Sequence, residues 1–306
     1  MEQTINGVPY VRTPENRFEN IHDFNYESKY VEFEGLCMHY IHQNEGAKHI
    51  IVFVHGVPTW SYMWRKYIDH FSQIGFQVVA PDLIGFGKSD KPTDVNYFSY
   101  TKASNQLERL LFDYLGLQDV NLVVHDWGGL LGLRLLAKRD KRFASLVAIN
   151  TGFLGGVGFD LLPLIWQFFM LFFKPSSKAI LKFSLAKETY TRVASAYLAP
   201  FPSGEYETAI KTFPLLIPTL VNRHERKLNQ TFWKQIKQFD RPFLTIFSKN
   251  DWLTRGADKL LWNNIVGAKN YKSIRISKAG HFLPEEKASE VIEIINTFYV
   301  NTMNLK

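Results

Sequence analysis

Six short apolar runs are spaced along this chain with longer helix-like segments between them: "HIIVFVH" (His49 to His55), "QVVAPDL" (Gln77 to Leu83), "NLVVHD" (Asn121 to Asp126), "LVAIN" (Leu146 to Asn150), "FLTIFS" (Phe243 to Ser248) and "KSIRIS" (Lys272 to Ser277). Their apolar character is continuous, which suits strands of a parallel sheet covered by helices on both faces. That pattern restricts the fold more than any other feature. The intervening segments include "TKASNQLERLLFDYLG" and "GGLLGLRLLAKRD". The last, "PEEKASEVIEIINTFYV", carries Pro284 and two glutamates at its start, as helix N-termini do. Near the N-terminus the alternating run "KYVEFEGLCMHYIHQ" predicts an antiparallel hairpin at the sheet edge.

The alternation stops between about Gly155 and Asn229, a stretch with many aromatics, several prolines and no clear strand, and resumes at Phe243. An all-helical insertion into an α/β sheet has this appearance. The expected division is a core over 1–154, a helical cap over 155–229 and the rest of the core over 230–306. Open α/β sheets bind ligands beyond the carboxyl ends of their strands, so an insertion leaving from a strand end would roof that site.

Bulk properties exclude some functions. The 36 basic and 29 acidic residues give a net charge of +7, but Lys and Arg are scattered without a dense run, so no nucleic-acid partner is expected. One cysteine, Cys37, permits no intrachain disulfide framework and reads as a small apolar residue in an early strand. The opening "MEQTINGVPYVRTPENRF" lacks a basic segment followed by an apolar one, so no signal peptide is read and a cytoplasmic monomer is expected. The most apolar stretch, "LLPLIWQFFMLFF" (Leu161 to Phe173), is too short to span a bilayer; a helix packed on another apolar surface is expected, with interfacial membrane contact as the alternative. No stable membrane insertion is expected.

Within "NLVVHDWGGLLGL", Asp126 ends a strand, and Gly128 and Gly129 open a helix. A sharp strand–turn–helix with small residues around a nucleophile is the elbow of the α/β-hydrolase fold. The serine version, G-x-Ser-x-G, is absent. Asp126 can instead be a cap for the following helix, and this stretch alone leaves that reading open. "GHF" (Gly280 to Phe282) follows the last strand and precedes the last helix, where this fold carries its catalytic histidine, here His281. An acid must come before it: the end of "LVAIN" offers only Asn150 and Thr151, whereas "SKNDWLT" offers Asp251. "VHGVPTW" places the backbone N–H of Val57 opposite that of Trp127, a pair suited to an oxyanion hole. "GFGKS" fails as a phosphate loop because Asp82 falls where its first glycine belongs, and "RHERK" is not a zinc-binding H-E-x-x-H, so neither cofactor nor metal is expected.

Through "HGVPTWSYMWR", "APDLIGFGKSDKP", "VVHDWGG", "KAGHF" and, in the insertion, "ASAYLAPFPSGEY", the chain resembles the haloalkane dehalogenases. The resemblance runs from about "RTPENRF" to the final helix. It implies that Asp126 displaces halide from a saturated carbon to form an alkyl ester, and that His281, oriented by Asp251, activates the water that hydrolyses it. The substrate would be a small apolar haloalkane, and the products an alcohol, a halide ion and a proton. Trp127 would supply one indole N–H to the halide. One branch of the family takes its second donor from an asparagine in the His-Gly-x-Pro turn, where this chain has Val57. The other branch takes it from a cap tryptophan and carries its acid on the later strand, which Trp166 and Asp251 match together. Trp233 is a weaker candidate, and Phe168, Phe169, Phe172 and Phe173 suggest an apolar pocket. "HDWGG" also occurs in epoxide hydrolases, for which Tyr190, Tyr197 or Tyr206 would be the proton donors.

Overall fold

In the computed structural model, which describes residues 2–154 and 161–303, all six apolar runs are strands of one sheet. With the N-terminal hairpin its strands are β1 (Lys29–Phe33), β2 (Leu36–Gln43), β3 (Ile50–Val54), β4 (Gln77–Pro81), β5 (Val120–His125), β6 (Phe143–Ile149), β7 (Phe243–Ser248) and β8 (Ile274–Ile276). The spatial order is β8-β7-β6-β5-β3-β4-β2-β1, parallel from β8 to β4 and antiparallel for the last two pairings. The hairpin thus forms the antiparallel edge. Glu2–Gln3, Pro9–Val11 and Lys91–Pro92 make a small separate sheet.

The continuous apolar runs have a direct cause. Successive strand residues point to opposite faces, and here each face meets a helical layer. Val52, Val54, Leu122, Val124 and Ala148 join one buried cluster, while Ile51, Phe53, Val123, Val147 and Ile149 join the other. The covering helices are α1 (Arg65–Gln73), α2 (Tyr100–Glu108, continued by a π-helical turn) and α3 (Trp127–Arg139).

Between β6 and β7 the described residues contain helices and no strand: α4 (Leu161–Phe173), α5 (Ser177–Ser184), α6 (Lys187–Leu198), α7 (Thr208–Thr212) and α8 (Arg223–Ile236). Gly155, the expected start of the cap, lies outside the described residues. Helix α8 runs unbroken through residues 229 and 230 and is tied to the core: buried Arg134 of α3 pairs with Glu225 at 2.6 Å and donates to Asn229 Oδ1 at 2.7 Å. Beyond β7 come α9 (Ala257–Asn264), α10 (Leu283–Glu286) and α11 (Ala288–Met303). The single terminal helix expected from the sequence is two helices, separated at Lys287. No helix among the described residues is long and apolar enough to cross a membrane.

Candidate active site

Asp126 sits between β5 and α3 at φ 50°, ψ −121°, a conformation L-residues rarely adopt. Its side chain makes no capping hydrogen bond to α3, so the helix-cap reading fails. The turn is held instead from outside: Thr151 Oγ1 donates to the Asp126 carbonyl at 2.6 Å, and Asp126 N–H donates to the Asn150 carbonyl at 3.3 Å. Close approach explains the neighbouring glycines. A β-carbon on Gly56 would fall inside the Asp126 carboxylate, and one on Gly128 would strike the Val54 carbonyl.

The strained turn presents the carboxylate to two partners. Val57 N–H donates to Asp126 Oδ2 at 2.9 Å, and His281 Nε2 lies 3.5 Å from Oδ1. On the far side of the ring, His281 Nδ1 bonds Asp251 Oδ2 at 2.9 Å. Asp251 is itself fixed, accepting from Leu253 N–H at 3.0 Å and from the Thr254 hydroxyl.

Electrostatics follow from this arrangement. Burial disfavours both carboxylates, but His281 outweighs it, holding Asp126 below its ordinary range and Asp251 at about 2. Burial also disfavours the imidazolium, yet Asp251, then Asp126, overcome it and raise His281 to about 10. His125, next in sequence to Asp126, behaves in the opposite way. Burial, then the charge on His281, push it down to about 4, and its Nε2 is 2.8 Å from the His281 carbonyl. The same burial that His281 overcomes thus prevails at His125, whose ring supports the His281 backbone.

Asp126, Trp127, Trp166 and His281 line one cavity of about 550 Å³, with the Val57 turn at its floor. Its remaining wall is mostly apolar and includes Leu130, Met170, Ile180, Pro214, Ile217 and Phe282. Trp127 is fixed by edge contacts to Tyr100 and Phe213, with ring centroids 5.3 and 5.0 Å away. Trp166 reaches the cavity from α4 and meets the ring of Trp252 at 6.0 Å.

Residues 49–288 match the family model described as "alpha/beta hydrolase fold". The chain is 37% identical over 292 residues to haloalkane dehalogenase 1 of Mycobacterium bovis, covering 92% of this chain and 96% of that protein. It is 34% identical to the haloalkane dehalogenase of Psychrobacter cryohalolentis, covering 94% of this chain and 97% of that protein. Among solved structures, the tetrameric haloalkane dehalogenase DpaA of Paraglaciecola agarilytica NO2 superposes with a TM-score of 0.86 at 31% identity, covering 94% of this chain and 97% of that one. The chain belongs to the haloalkane dehalogenases.

Other candidates in this dehalogenase lie away from the cavity. Trp233 is buried and stacked on Phe153, with ring centroids 5.9 Å apart. Phe168, Phe169, Phe172 and Phe173, which suggested a pocket lining, are on the outer side of α4; the side facing the cavity carries Pro163, Trp166 and Met170. No tyrosine is among the described residues lining the cavity. Tyr197 is fully buried and donates to Glu285 at 2.9 Å, on a carboxylate already held by Arg65 at 2.6 and 2.8 Å.

Sequence reasoning missed several supports of the site. Asn150 Nδ2 donates to the carbonyls of Gly280 and His281 at 3.0 and 2.8 Å, while its Oδ1 accepts from Ser248 N–H at 2.8 Å. A buried amide at the end of β6 therefore orients the histidine loop. Glu286 accepts from Gly280 N–H and from Ala186 N–H, joining that loop to the insertion just before α6. The only sequence signal for Asn150 was its place at a strand end; Glu286 had none.

Proposed function

We propose that Asp126 is the nucleophile, His281 the base, Asp251 its orienting acid, and Trp127 with Trp166 the halide donors, in hydrolysis of small apolar haloalkanes. The observation that carries this is one cavity wall on which an ionised carboxylate, a carboxylate-backed imidazole and two indoles meet. A carboxylate is a nucleophile at neutral pH without help from a base. Asp126 attacks the carbon bearing the halogen; the carbon–halogen bond breaks, its electron pair leaves with the halide, and an alkyl ester forms. Indole N–H groups in a dry pocket stabilise the departing anion.

Ester formation also changes the base. It removes the Asp126 charge, one of the causes that hold His281 at about 10, so the imidazole can release its proton and accept another from water. The water oxygen bonds to the Asp126 carboxyl carbon as its proton passes to His281. The bond to the alkoxy oxygen then breaks, and that oxygen takes the proton back from the imidazolium and leaves as the alcohol. The Asp126 acid loses its proton to restore the carboxylate. Val57 N–H, already directed at Oδ2, and Trp127 N–H at the start of α3 would hold the oxyanion. No cofactor or metal enters either step.

We further infer a core over 1–154 and 230–306 with a cap over 155–229, α8 being the stretch where the cap rejoins the core. The chemistry draws all its groups from one chain, which supports a monomer as the active unit even though the DpaA relative is described as tetrameric. A cytoplasmic setting fits a chain whose single cysteine is free. An epoxide hydrolase is disfavoured by the absence of a tyrosine from the described cavity wall. The test is halide release from a panel of chloro-, bromo- and iodoalkanes with an epoxide control. Halide release without diol formation supports the proposal; diol formation without halide release overturns it.

A further inference from the structure

Helix α4 has one polar side chain, Gln167, and it is turned inward, donating to the Ile217 carbonyl at 2.9 Å and accepting from Thr219 at 2.7 Å. The outward side carries Ile165, Phe168, Phe169 and Phe172, with exposures of 52%, 56%, 40% and 73%. Soluble proteins rarely leave so contiguous an aromatic face to water without a use for it. The face continues to the cavity mouth: Phe183 of α5 lines the cavity and is nevertheless 83% exposed.

The charges around this face identify its occupant. Residues 161–198 contain five basic side chains, Lys174, Lys178, Lys182, Lys187 and Arg192, against one acidic side chain, Glu188. The four lysines are exposed, and on α5 Lys178 and Lys182 stand one turn apart beside the Ala179–Phe183 side. A second copy of the chain would bring two like-charged segments together. An anionic surface with an apolar interior complements both the lysines and the phenylalanines. At 13 residues, α4 is too short to span a bilayer and long enough to lie in its interface.

We propose that the outer face of α4, with Phe183 and the adjoining lysines, docks flat on an anionic phospholipid bilayer. The cavity mouth then opens toward the layer in which apolar haloalkanes dissolve. Binding can be measured without turnover, so its outcome is separate from the assignment of catalytic roles.

The test is co-sedimentation of the full chain with vesicles of phosphatidylcholine alone or in equimolar mixture with phosphatidylglycerol, at low and high salt. The expected result is binding to the mixed vesicles that weakens with salt and is small on phosphatidylcholine alone. The double variant Phe168→Ser/Phe172→Ser should lower the partition coefficient at least about tenfold. Lys178→Gln/Lys182→Gln should weaken binding to the mixed vesicles alone. Both variants should retain haloalkane turnover in solution, because none of these four side chains lines the cavity. Absence of binding to the mixed vesicles, or variants that bind like the parent, overturns the proposal. So does a parent that ignores lipid but self-associates through Phe168 and Phe172, which would make a second copy the occupant.

Discussion

The imidazole of His281 lies 3.5 Å from the Asp126 carboxylate, and each holds the other in its charged form. Removing one charge must therefore be felt by the other. In Asp126→Asn, turnover should be lost because the amide is a poor nucleophile, and His281 should titrate well below about 10. NMR of the imidazole protons in fresh, sequence-verified protein checks the second point. An unchanged titration would mean that Asp251 alone sets the proton affinity.

The two chemical steps separate in His281→Phe. Carboxylate attack needs no base, whereas ester hydrolysis does. After incubation with a bromoalkane, mass spectrometry should find the protein heavier by one alkyl group at Asp126. Folded but unmodified protein would place His281 in the first step.

Trp166→Phe keeps most of the packing and removes one indole N–H. A hydrogen bond to a charged group is worth about 1.5–3 kcal/mol, and tenfold in rate corresponds to about 1.4 kcal/mol. When carbon–halogen cleavage limits kcat/KM, a fall of roughly ten- to hundredfold is expected. Chloroalkanes should suffer more than iodoalkanes, since chloride is the poorer leaving group. Bromide binding, followed by tryptophan fluorescence, should weaken in parallel; unchanged binding and chloroalkane turnover would move the second donor elsewhere.

Asn150→Ala takes the amide away from the Gly280 carbonyl and the buried Ser248 N–H, and leaves the His281 carbonyl with His125 Nε2 alone. A stability loss of about 1–3 kcal/mol is expected from denaturant unfolding. Because the amide orients the histidine loop and does not line the cavity, kcat should fall while halide binding persists. Normal kcat in the destabilised variant would reduce Asn150 to a purely structural role.

The raised proton affinity of His281 has a consequence for stability. A group held higher in the folded state than its ordinary value contributes fully below about 6.5, and the contribution is lost as pH rises through about 10. Urea midpoints of the parent should therefore fall relative to those of His281→Phe across that window. Parallel curves would contradict the pairing.

These supports also mark the limit of what could be read from the chain. That Asp126, Asp251 and His281 come together was legible because each follows an apolar strand: Asp126 and His281 lie in recognisable segments, and Asp251 is the carboxylate that chain order left. The parallel sheet was legible from continuous apolar runs, since both of its faces are covered. Asn150 was not, because its role depends on the His281 loop, 131 positions away. Nor were the orientations around α4. A helix apolar on nearly every side has no pattern to tell its cavity face from its outer face, so Trp166 could be picked out only through a resemblance.

The cavity has two kinds of wall. Val57, Asp126 and His281 follow the strands of the sheet, at Gly56, Gly128 and neighbouring turns with no room for another atom. Pro163, Trp166, Met170, Ile180 and Phe183 come from the inserted helices α4 and α5, and Ile217 from the segment before α8. The proposed nucleophile, base and oxyanion N–H groups thus stand on core turns, while the insertion supplies much of the apolar wall and one proposed halide donor, Trp166. Drift in the insertion at positions other than Trp166 can reshape which molecules enter while the strand-end turns stay as they are, so libraries built for new substrates belong at those positions and not on the strand ends.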